Sequence, residues 1–288
     1  MHPETIVFLG GGNMARALIG GLMQQGWQAG LISVIELNPA SREQLHADFG
    51  IACHANCAEA DGALRAAALI VLAVKPQQMQ AAIEPLGGLL VAQTLISIAA
   101  GLRLATLSQG LGGYNKLVRA MPNTPALVGA GMTGLYALAQ VNAAERDLAE
   151  RVLRAVGQTL WVEDEAMMDT ITAVSGSGPA YAFLLMEAMQ DAAIAQGCKP
   201  EDARLLATAT VHGAALLAAS SRQAISVLRT NVTSKGGTTE AALQTMHALG
   251  VPAAIISAIQ AAQRRGRELG DQLALPATSR SATTKESL

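Results

Sequence analysis

The hydroxyl-rich stretch NVTSKGGTTEAAL runs from Asn231 to Leu243 and directly precedes an apolar-periodic segment. It holds four hydroxyl residues, two adjacent glycines and a lysine, a mixture that neither a core helix nor an ordinary turn requires. Gly236 and Gly237 are expected to leave their backbone N–H groups open, and a following helix start adds a positive dipole end, so the loop suits a small carboxylate ligand. The alternative is that Thr238 or Thr239 only caps the next helix, which would explain one hydroxyl group but not four.

A glycine-rich turn lies near the start of the chain. The pattern Gly10-x-Gly12-x-x-Ala15 follows the apolar run TIVFLG and opens a helical segment, which is the context in which this pattern indicates dinucleotide binding. Gly10 permits a tight turn, Gly12 lets a pyrophosphate approach the backbone, and Ala15 keeps helix and strand close. The helix start then offers N–H groups to the phosphates. A glycine-rich turn that merely connects two elements is the alternative.

The residues after the second predicted strand, LISVI, bear on which coenzyme would bind. Glu36 stands where an acidic residue accepts hydrogen bonds from the ribose hydroxyls of NAD. Asn38 and Arg42 lie in the adjoining segment and could receive the 2′-phosphate of NADP, unless Arg42 forms a salt bridge with Glu36. From the residues alone, both coenzymes stay open.

Three further loops follow predicted buried strands. They are AVKPQ (residues 73–77), SIAAG (residues 97–101) and RAMPNTPA (residues 119–126). Ligands of open α/β sheets bind at the carboxyl ends of the strands, so we expect these loops to meet there and form a cofactor cleft. Ordinary turns at strand ends are the alternative interpretation.

The first half of the chain alternates strand and helix patterns. The apolar runs TIVFLG, LISVI, ALIVLAV, TLISIAA and KLVRAM are continuous rather than alternating, which indicates burial on both faces of a parallel sheet. Helical patterns separate them. This repetition predicts a doubly wound, mostly parallel α/β domain that binds a dinucleotide, over residues 1–164.

The second half is predicted to be an all-α domain over residues 165–272. Three segments that begin near a proline read as long helices, over Gly178–Gly197, Pro200–Ser220 and Val251–Gly270. The first two are apolar nearly all round, which requires burial on every side. We therefore expect a homodimer with a core-like interface. Residues 273–288 are polar and aperiodic, and a disordered tail is predicted there.

The composition argues against several classes of partner. The chain has 288 residues, of which 51% are hydrophobic, and a formal net charge of −2, so no basic surface for nucleic acid is expected. The first residues lack a signal-peptide pattern, and the uninterrupted apolar runs are too short to span a bilayer, so no membrane contact and a cytoplasmic location are expected. The cysteines and histidines lack the spacing of metal ligands, and no metal is predicted.

Six motifs occur together in a fixed order along the chain. FLGGGNMARALIGGL, AVKPQ, SIAAG, RAMPNTPA, SGSGPAYAF and NVTSKGGTTEAAL resemble the motifs of the pyrroline-5-carboxylate reductases, from about Ile6 to Gly270. The resemblance implies a Rossmann domain followed by a helical dimerisation domain interlocked with its partner, and a decamer built as a ring of dimers is the further expectation. It also implies reduction of the C=N bond of 1-pyrroline-5-carboxylate to L-proline, with NADPH favoured over NADH.

The resemblance implies roles for individual residues, among them Thr239 as the catalytic residue. Its hydroxyl is expected to bond the ring nitrogen of the substrate and so orient the C=N carbon beneath the nicotinamide. Lys235 stands where many relatives have proline, and Arg222 where some have glutamate. The expected substrate contacts are Ser234, Gly236, Gly237, Thr238 and Thr239. The expected coenzyme contacts are Gly10, Gly11, Gly12, Asn13, Met14, Ala15, Asn38, Asn56, Ala73, Val74, Lys75, Pro76, Ala99, Ala100 and Asn123, the last near the nicotinamide.

Three other functions compete with this one. A β-hydroxyacid dehydrogenase needs a base to take the alcohol proton, commonly a lysine on the helix after a glycine-rich stretch. The segment SGSGPAYAFLLMEAMQDAAIAQG contains no lysine or histidine, which favours reduction of an imine that already carries its proton. A reductase of another cyclic imine and a dinucleotide-sensing scaffold are the remaining alternatives. An active site shared between two subunits is a further hypothesis.

Overall fold

The computed structural model describes residues 4–273, and the first part of the chain forms an eight-stranded sheet. The strands are β1 (Ile6–Leu9), β2 (Ile32–Ile35), β3 (Ala52–His54), β4 (Leu69–Leu72), β5 (Thr94–Ser97), β6 (Leu117–Met121), β7 (Gly131–Ala137) and β8 (Gly157–Trp161). Their spatial order is β3-β2-β1-β4-β5-β6-β7-β8, and all neighbours are parallel except β6 and β7. The first six strands have the order of a Rossmann domain, so the predicted fold class is confirmed.

Both faces of the central strands are buried, as the continuous apolar runs indicate. In β1, Ile6 and Phe8 belong to one apolar cluster, whereas Val7 and Leu9 belong to the other. Helices must therefore cover both sides of the sheet. The helices of this part are α1 (Asn13–Gln24), α2 (Pro39–Phe49), α3 (Asp61–Ala66), α4 (Met79–Ile83), α5 (Leu104–Gly110), α6 (Ala143–Arg154) and α7 (Met167–Ile171).

Apolar runs alone do not reveal the last two strands. β7 reads GMTGLYA, in which glycines and a threonine interrupt the apolar residues, and β8 reads GQTLW. β8 lies at the edge of the sheet, and its side chains alternate between half-buried and exposed. A strand in that position needs no continuous apolar run, because only one of its faces meets the core.

The second part of the chain consists of helices. They are α8 (Gly178–Ala195), α9 (Pro200–Ser220), α10 (Ile225–Asn231), α11 (Thr238–Ala248) and α12 (Val251–Gln272). The limits of α9 are those that the sequence predicts, since Pro200 occupies the first helical turn, where its missing N–H is not needed. α8 ends two residues before Gly197, which adopts a positive φ of 96°.

The limits of the two compact units differ from the predicted domain boundary. Among the described residues, one unit comprises 4–169 and 265–273, and the other is Thr170–Arg264. Ion pairs explain the difference. Arg119 of β6 pairs with Glu165 and Asp169, and Arg103 pairs with Asp271, so residues 165–169 and the end of α12 belong to the unit that contains the sheet.

Large apolar side chains remain exposed on the helical unit. α8 has no buried residue, and α9 buries only Ala203 and Ala207. The exposed residues of these two helices include Phe183, Leu184, Leu185, Ile194, Leu205, Leu206, Leu216 and Leu217. By length and composition alone, α9 is also apolar enough to cross a membrane, although polar residues interrupt its apolar runs. Except for Leu273, the tail predicted over residues 273–288 lies outside the described residues.

Candidate active site

The glycine turn after β1 is held by the ends of its two neighbouring strands. The N–H of Gly10 donates to the carbonyl of Ile35, at the end of β2, over 2.8 Å. Gly10 has a φ of 101°, and a Cβ there would lie 2.7 Å from the carbonyl oxygen of Ala73. Residue 10 must therefore be glycine for both reasons: the backbone is left-handed, and the chain after β4 passes too close for a side chain.

The start of α1 presents unpaired backbone groups to open space. Gly12 is the N-cap, no side chain caps the helix, and a Cβ at Gly12 would meet nothing within 4 Å. Within the described residues, the N–H groups of Asn13 and Met14 have no acceptor. Ala15 is only 1% exposed and packs against the core. Open N–H groups at a helix start beside free space fit the pyrophosphate of a dinucleotide.

The carboxylate of Glu36 bridges the glycine turn and the segment after β2. One oxygen accepts from the N–H of Gly11 and the other from the N–H of Asn38, each at 2.9 Å. The guanidinium of Arg42 donates instead to the main-chain carbonyls of Glu36 and Leu37, at 2.7 and 2.9 Å. The alternative of a side-chain salt bridge between Arg42 and Glu36 is therefore wrong.

Two asparagines expected to contact the coenzyme have structural hydrogen bonds. The side chain of Asn38 accepts from the N–H of Ser41 and thereby caps α2. The side-chain oxygen of Asn123 accepts from the N–H of Met132 at 2.9 Å, which joins the loop after β6 to β7. Each side chain thus fixes the loop in which it lies.

The remaining residues expected to contact the coenzyme follow strands that end at the same edge of the sheet. Ala73, Val74, Lys75 and Pro76 come after β4, and the N–H of Ala73 donates to the carbonyl of Leu9 at 2.8 Å. After β5, Ala99 is buried and Ala100 exposed. Asn56 follows β3, where its side chain bonds Glu59. Because β1, β4, β5 and β6 are adjacent and parallel, the structure brings their loops to one edge, with Asn56 toward its β3 end.

A second candidate binding loop, in the helical unit, precedes α11. Gly236 has a φ of 72°, and its N–H donates to the carboxylate of Glu240 at 2.7 Å. The N–H of Gly237 donates to the carbonyl of Ser234 at 3.1 Å. The expectation that both glycines present free N–H groups is therefore wrong, because the loop uses these two donors to hold its own shape.

The free N–H donors of this loop belong to the two residues that follow Gly237. Gly237 is the N-cap of α11, no side-chain hydrogen bond caps the helix, and the first intrahelical bond runs from Ala241 to Gly237. In the described part of the chain, the N–H groups of Thr238 and Thr239 and both their hydroxyls have no acceptor or donor partner. The alternative that a threonine merely caps this helix is wrong. Three features of α11 match α1: a glycine N-cap, no side-chain cap, and open N–H groups.

Two carboxylates that sequence reasoning did not assign to the loops are central to their geometry. The carboxylate of Glu240 accepts from the N–H of Gly236, an arrangement similar to a capping box. In the sequence, the corresponding signal is an acidic residue in the first turn of the helix. Glu165 accepts from the N–H of Leu104 and pairs with Arg119, which is only 3% exposed. The signal for Arg119 is a charged residue inside the apolar run KLVRAM.

A cavity elsewhere in the sheet unit is lined in part by charged residues that have ion-pair partners. It measures about 670 Å³ and lies at the amino edge of the strands, opposite the glycine turn. Among its lining residues, Arg65 pairs with Asp61 and Glu145 pairs with Lys116. Its charged groups are thus engaged with protein partners.

The three cysteines form no disulfide within the described residues. Cys53, Cys57 and Cys198 are free, and burial raises the pKa of the first two thiols, which keeps them protonated near neutral pH. Between residues 4 and 273, no group of three His, Cys, Asp or Glu side chains could hold a metal ion.

Comparison with known proteins identifies a family for each of the two parts of the chain. Residues 165–269 match the family described as pyrroline-5-carboxylate reductase dimerisation, and residues 5–101 match one described as NADP oxidoreductase, coenzyme F420-dependent. The pyrroline-5-carboxylate reductase of Pseudomonas aeruginosa is 46% identical over 95% of this chain and 99% of its own length. The chain belongs to the pyrroline-5-carboxylate reductase family. The enzyme of that name from Escherichia coli K12 is 36% identical over 92% of this chain and 98% of its own.

Solved structures of pyrroline-5-carboxylate reductases share the fold. The protein from Coxiella burnetii has a TM-score of 0.88 and 39% identity, covering 93% of this chain and 99% of its own. The one from Plasmodium falciparum, described with NADP bound, has a TM-score of 0.82 and 27% identity over 94% and 99%. The chain is thus a pyridine-nucleotide-dependent oxidoreductase with a helical dimerisation domain, and it forms oligomers.

Proposed function

We propose that this chain reduces the C=N bond of 1-pyrroline-5-carboxylate to L-proline with a reduced pyridine nucleotide, the last step of proline biosynthesis. The observation that carries this assignment is the pair of uncapped helix starts. Each follows a glycine turn and offers open N–H groups, at Gly12–Ala15 in the sheet unit and at Gly237–Thr239 in the helical unit. One suits the phosphates of a coenzyme, the other a small carboxylate.

The coenzyme half is the sheet unit. The N–H groups of Asn13 and Met14 would bind the pyrophosphate, and Gly12 leaves room for it. The loops after β4, β5 and β6 would line the path toward the nicotinamide, with Ala73–Pro76, Ala99, Ala100 and Asn123 as the contacts. A bound reduced nicotinamide supplies the hydride.

The substrate half is the loop before α11. We assign the carboxylate of the substrate to the N–H groups of Thr238 and Thr239, with the hydroxyls of Ser234 and Thr238 beside them. Hydrogen bonds to a charged group stabilise binding by about 1.5–3 kcal/mol each, enough for several to hold a ligand with little apolar surface. Gly236 and Gly237 contribute by shaping the loop rather than by donating to the ligand.

The hydroxyl of Thr239 is assigned to the ring nitrogen, which orients the C=N carbon for hydride addition. A protonated imine already carries the proton of the product amine, so the carbon needs only the hydride. No general base is required for this step. In agreement, α8 contains no lysine or histidine that could take an alcohol proton.

The assembly proposed for this function is a homodimer formed through the exposed apolar faces of α8 and α9, with a ring of dimers as the larger form. Two copies can bury these faces against each other, whereas one chain leaves them in water. A shared active site, with the two halves supplied by different subunits, follows as a hypothesis. Mixed dimers of two complementary inactive variants would regain activity only if sites are shared. A cytoplasmic location is proposed with this metabolic role.

Parallel assays with different substrates test the activity against its alternatives. With 1-pyrroline-5-carboxylate we expect oxidation of the coenzyme, and with a 3-hydroxyacid and oxidised coenzyme no reaction. A six-membered cyclic imine is expected to react poorly, because the site is assigned to a five-membered ring with a carboxylate. Coenzyme binding without any substrate-dependent oxidation would instead support a dinucleotide-sensing scaffold.

The coenzyme preference combines two lines of argument. Resemblance to the family favours NADPH over NADH, and the Plasmodium falciparum relative is described with NADP bound. In this chain, however, a carboxylate lies beside the expected ribose site, at Glu36. A carboxylate at this position argues against the preference for NADPH that the resemblance implies.

A further inference from the structure

We propose that Glu36 makes this chain bind NADH in preference to NADPH, against the preference that the resemblance implies. The inference rests on the proposed function for its coenzyme class and concerns the same site. In dinucleotide-binding folds, the adenosine ribose lies at the end of the second strand, and Glu36 directly follows β2. A carboxylate there accepts hydrogen bonds from the ribose hydroxyls of NADH, whereas it repels a 2′-phosphate.

The carboxylate of Glu36 is held in place before any ligand binds. Its two oxygens accept from the N–H groups of Gly11 and Asn38, and Gly11 belongs to the phosphate-binding turn itself. Bonds from two segments of backbone restrict the side chain to one orientation. A 2′-phosphate could displace the carboxylate only by breaking both bonds and leaving a negative charge nearby.

The same two bonds remove donors that a 2′-phosphate would need. The N–H groups of Gly11 and Asn38 are two backbone donors at this point of the loop, and Glu36 occupies both. A 2′-phosphate carries a charge of about −1.5 to −2 near neutral pH, by analogy with other phosphomonoesters. It would therefore meet a carboxylate where it requires N–H groups or cations.

The residues that could compensate this charge have other partners. Arg42 directs one guanidinium nitrogen to the main-chain carbonyls of Glu36 and Leu37. Asn38 uses its side-chain oxygen to cap α2 through Ser41. Arg16, on α1, forms an ion pair with Asp48. One nitrogen of Arg42 and the side-chain oxygen of Asn38 thus stabilise the loop itself, and Arg16 joins α1 to α2.

The test measures binding of NADH and NADPH separately from turnover. Dissociation constants for both coenzymes are determined by nucleotide fluorescence or calorimetry, without substrate, for the wild type, Glu36→Gln and Glu43→Gln. Glu36→Gln keeps the shape and one acceptor of the side chain while removing its charge. Glu43→Gln makes the same charge change at an exposed position of α2 and is the matched control.

We expect the wild type to bind NADH about tenfold or more tightly than NADPH, because the carboxylate of Glu36 and a 2′-phosphate carry like charges. Glu36→Gln should reduce that ratio by about tenfold, mainly through tighter NADPH binding, while Glu43→Gln leaves it unchanged. The inference would be overturned if the wild type binds NADPH as tightly as NADH, or if Glu36→Gln keeps the wild-type ratio. Matching thermal unfolding curves verify that the variants are folded.

The outcomes separate this inference from the proposed function. An NADH preference that depends on Glu36, without oxidation of NADH by 1-pyrroline-5-carboxylate, would support the role of Glu36 and refute the reductase assignment. Reduction of that substrate with equal affinity for both coenzymes would support the reductase assignment and refute the role of Glu36. If neither nucleotide binds, both conclusions fail.

Discussion

Two glutamates determine how the glycine turns of this protein can bind ligands. Glu36 accepts the N–H of Gly11, and Glu240 accepts the N–H of Gly236. In each loop a carboxylate from the chain occupies one donor of the glycine turn, and the donors of the following helix stay open. Glycine in a motif therefore signals the backbone shape more reliably than it signals which N–H group meets the ligand.

Replacing Thr239 tests its assigned role at the residue scale. Thr239→Ala should lower kcat for proline formation by about 100-fold, a loss typical of removing one positioned hydrogen-bonding group, and leave coenzyme affinity unchanged. Steady-state kinetics and coenzyme titration measure the two effects. Thr245→Ala, on the same helix, is the control because its hydroxyl bonds the carbonyl of Ala241. Unchanged turnover in Thr239→Ala would remove Thr239 from the mechanism.

Gly10 offers a second test at this scale. Gly10→Ala should abolish measurable coenzyme binding, because the new Cβ would lie 2.7 Å from the carbonyl oxygen of Ala73 and the φ of 101° disfavours any side chain. Gly30→Ala is the matched control, since its Cβ would meet nothing within 4 Å. Titration with NADH distinguishes them. Wild-type affinity in Gly10→Ala would show that the turn is not where the coenzyme binds.

At the scale of elements, the sequence predicts best what depends on local patterns. The limits of α9 follow from its proline and its apolar pattern, and the central strands follow from runs buried on both faces. This reasoning does not predict β7 or β8. Glycines interrupt the apolar residues of β7, and β8, at the edge of the sheet, has no continuous apolar run. The hydrogen bonds of Gly236, Gly237 and Asn123 also escape this reasoning, since they depend on which neighbour reaches each group in space.

The buried ion network around Arg119 joins β6 to α7 and α12. Arg119 pairs with Glu165 and Asp169, and Asp169 also pairs with Arg267. Arg119→Met should lower the free energy of unfolding by about 3–5 kcal/mol, because it removes the buried cation that Glu165 and Asp169 share. Urea denaturation measures this loss.

The exposed pair of Arg265 and Glu268 supplies the control for Arg119. Arg265→Met should change stability by less than about 1 kcal/mol, as expected for a solvent-exposed ion pair. Equal effects of the two substitutions would mean that burial of the Arg119 network does not determine its contribution. In that case the network would not explain why residues 165–169 belong to the sheet unit.

At the scale of the whole molecule, the helical unit lacks the burial that its composition demands. Leu205 and Leu184 are each 66% exposed, and neighbouring apolar residues of α8 and α9 are similarly open. Apolar surface of this extent on one chain indicates contact with another. The family match over residues 165–269 has the same meaning, since it describes a dimerisation domain.

A charge placed on this surface should separate the subunits. Leu205→Asp is expected to shift the protein from dimer or larger assembly to monomer, because an unpaired carboxylate in an apolar interface is unfavourable. Light scattering after size-exclusion chromatography gives the mass. Val91→Asp is the control, an apolar residue of the sheet unit that is even more exposed than Leu205. A dimer of unchanged stability in Leu205→Asp would place the interface elsewhere.

The central claim is that the open donors of α1 and α11 serve the reduction of an imine to proline. The most direct measurement is the stoichiometry of the reaction, in which coenzyme oxidation is recorded by absorbance and L-proline by amino-acid analysis. One proline should form for each reduced coenzyme consumed, and none without 1-pyrroline-5-carboxylate. Oxidation of the coenzyme without formation of proline, or no oxidation with this substrate, would contradict the account.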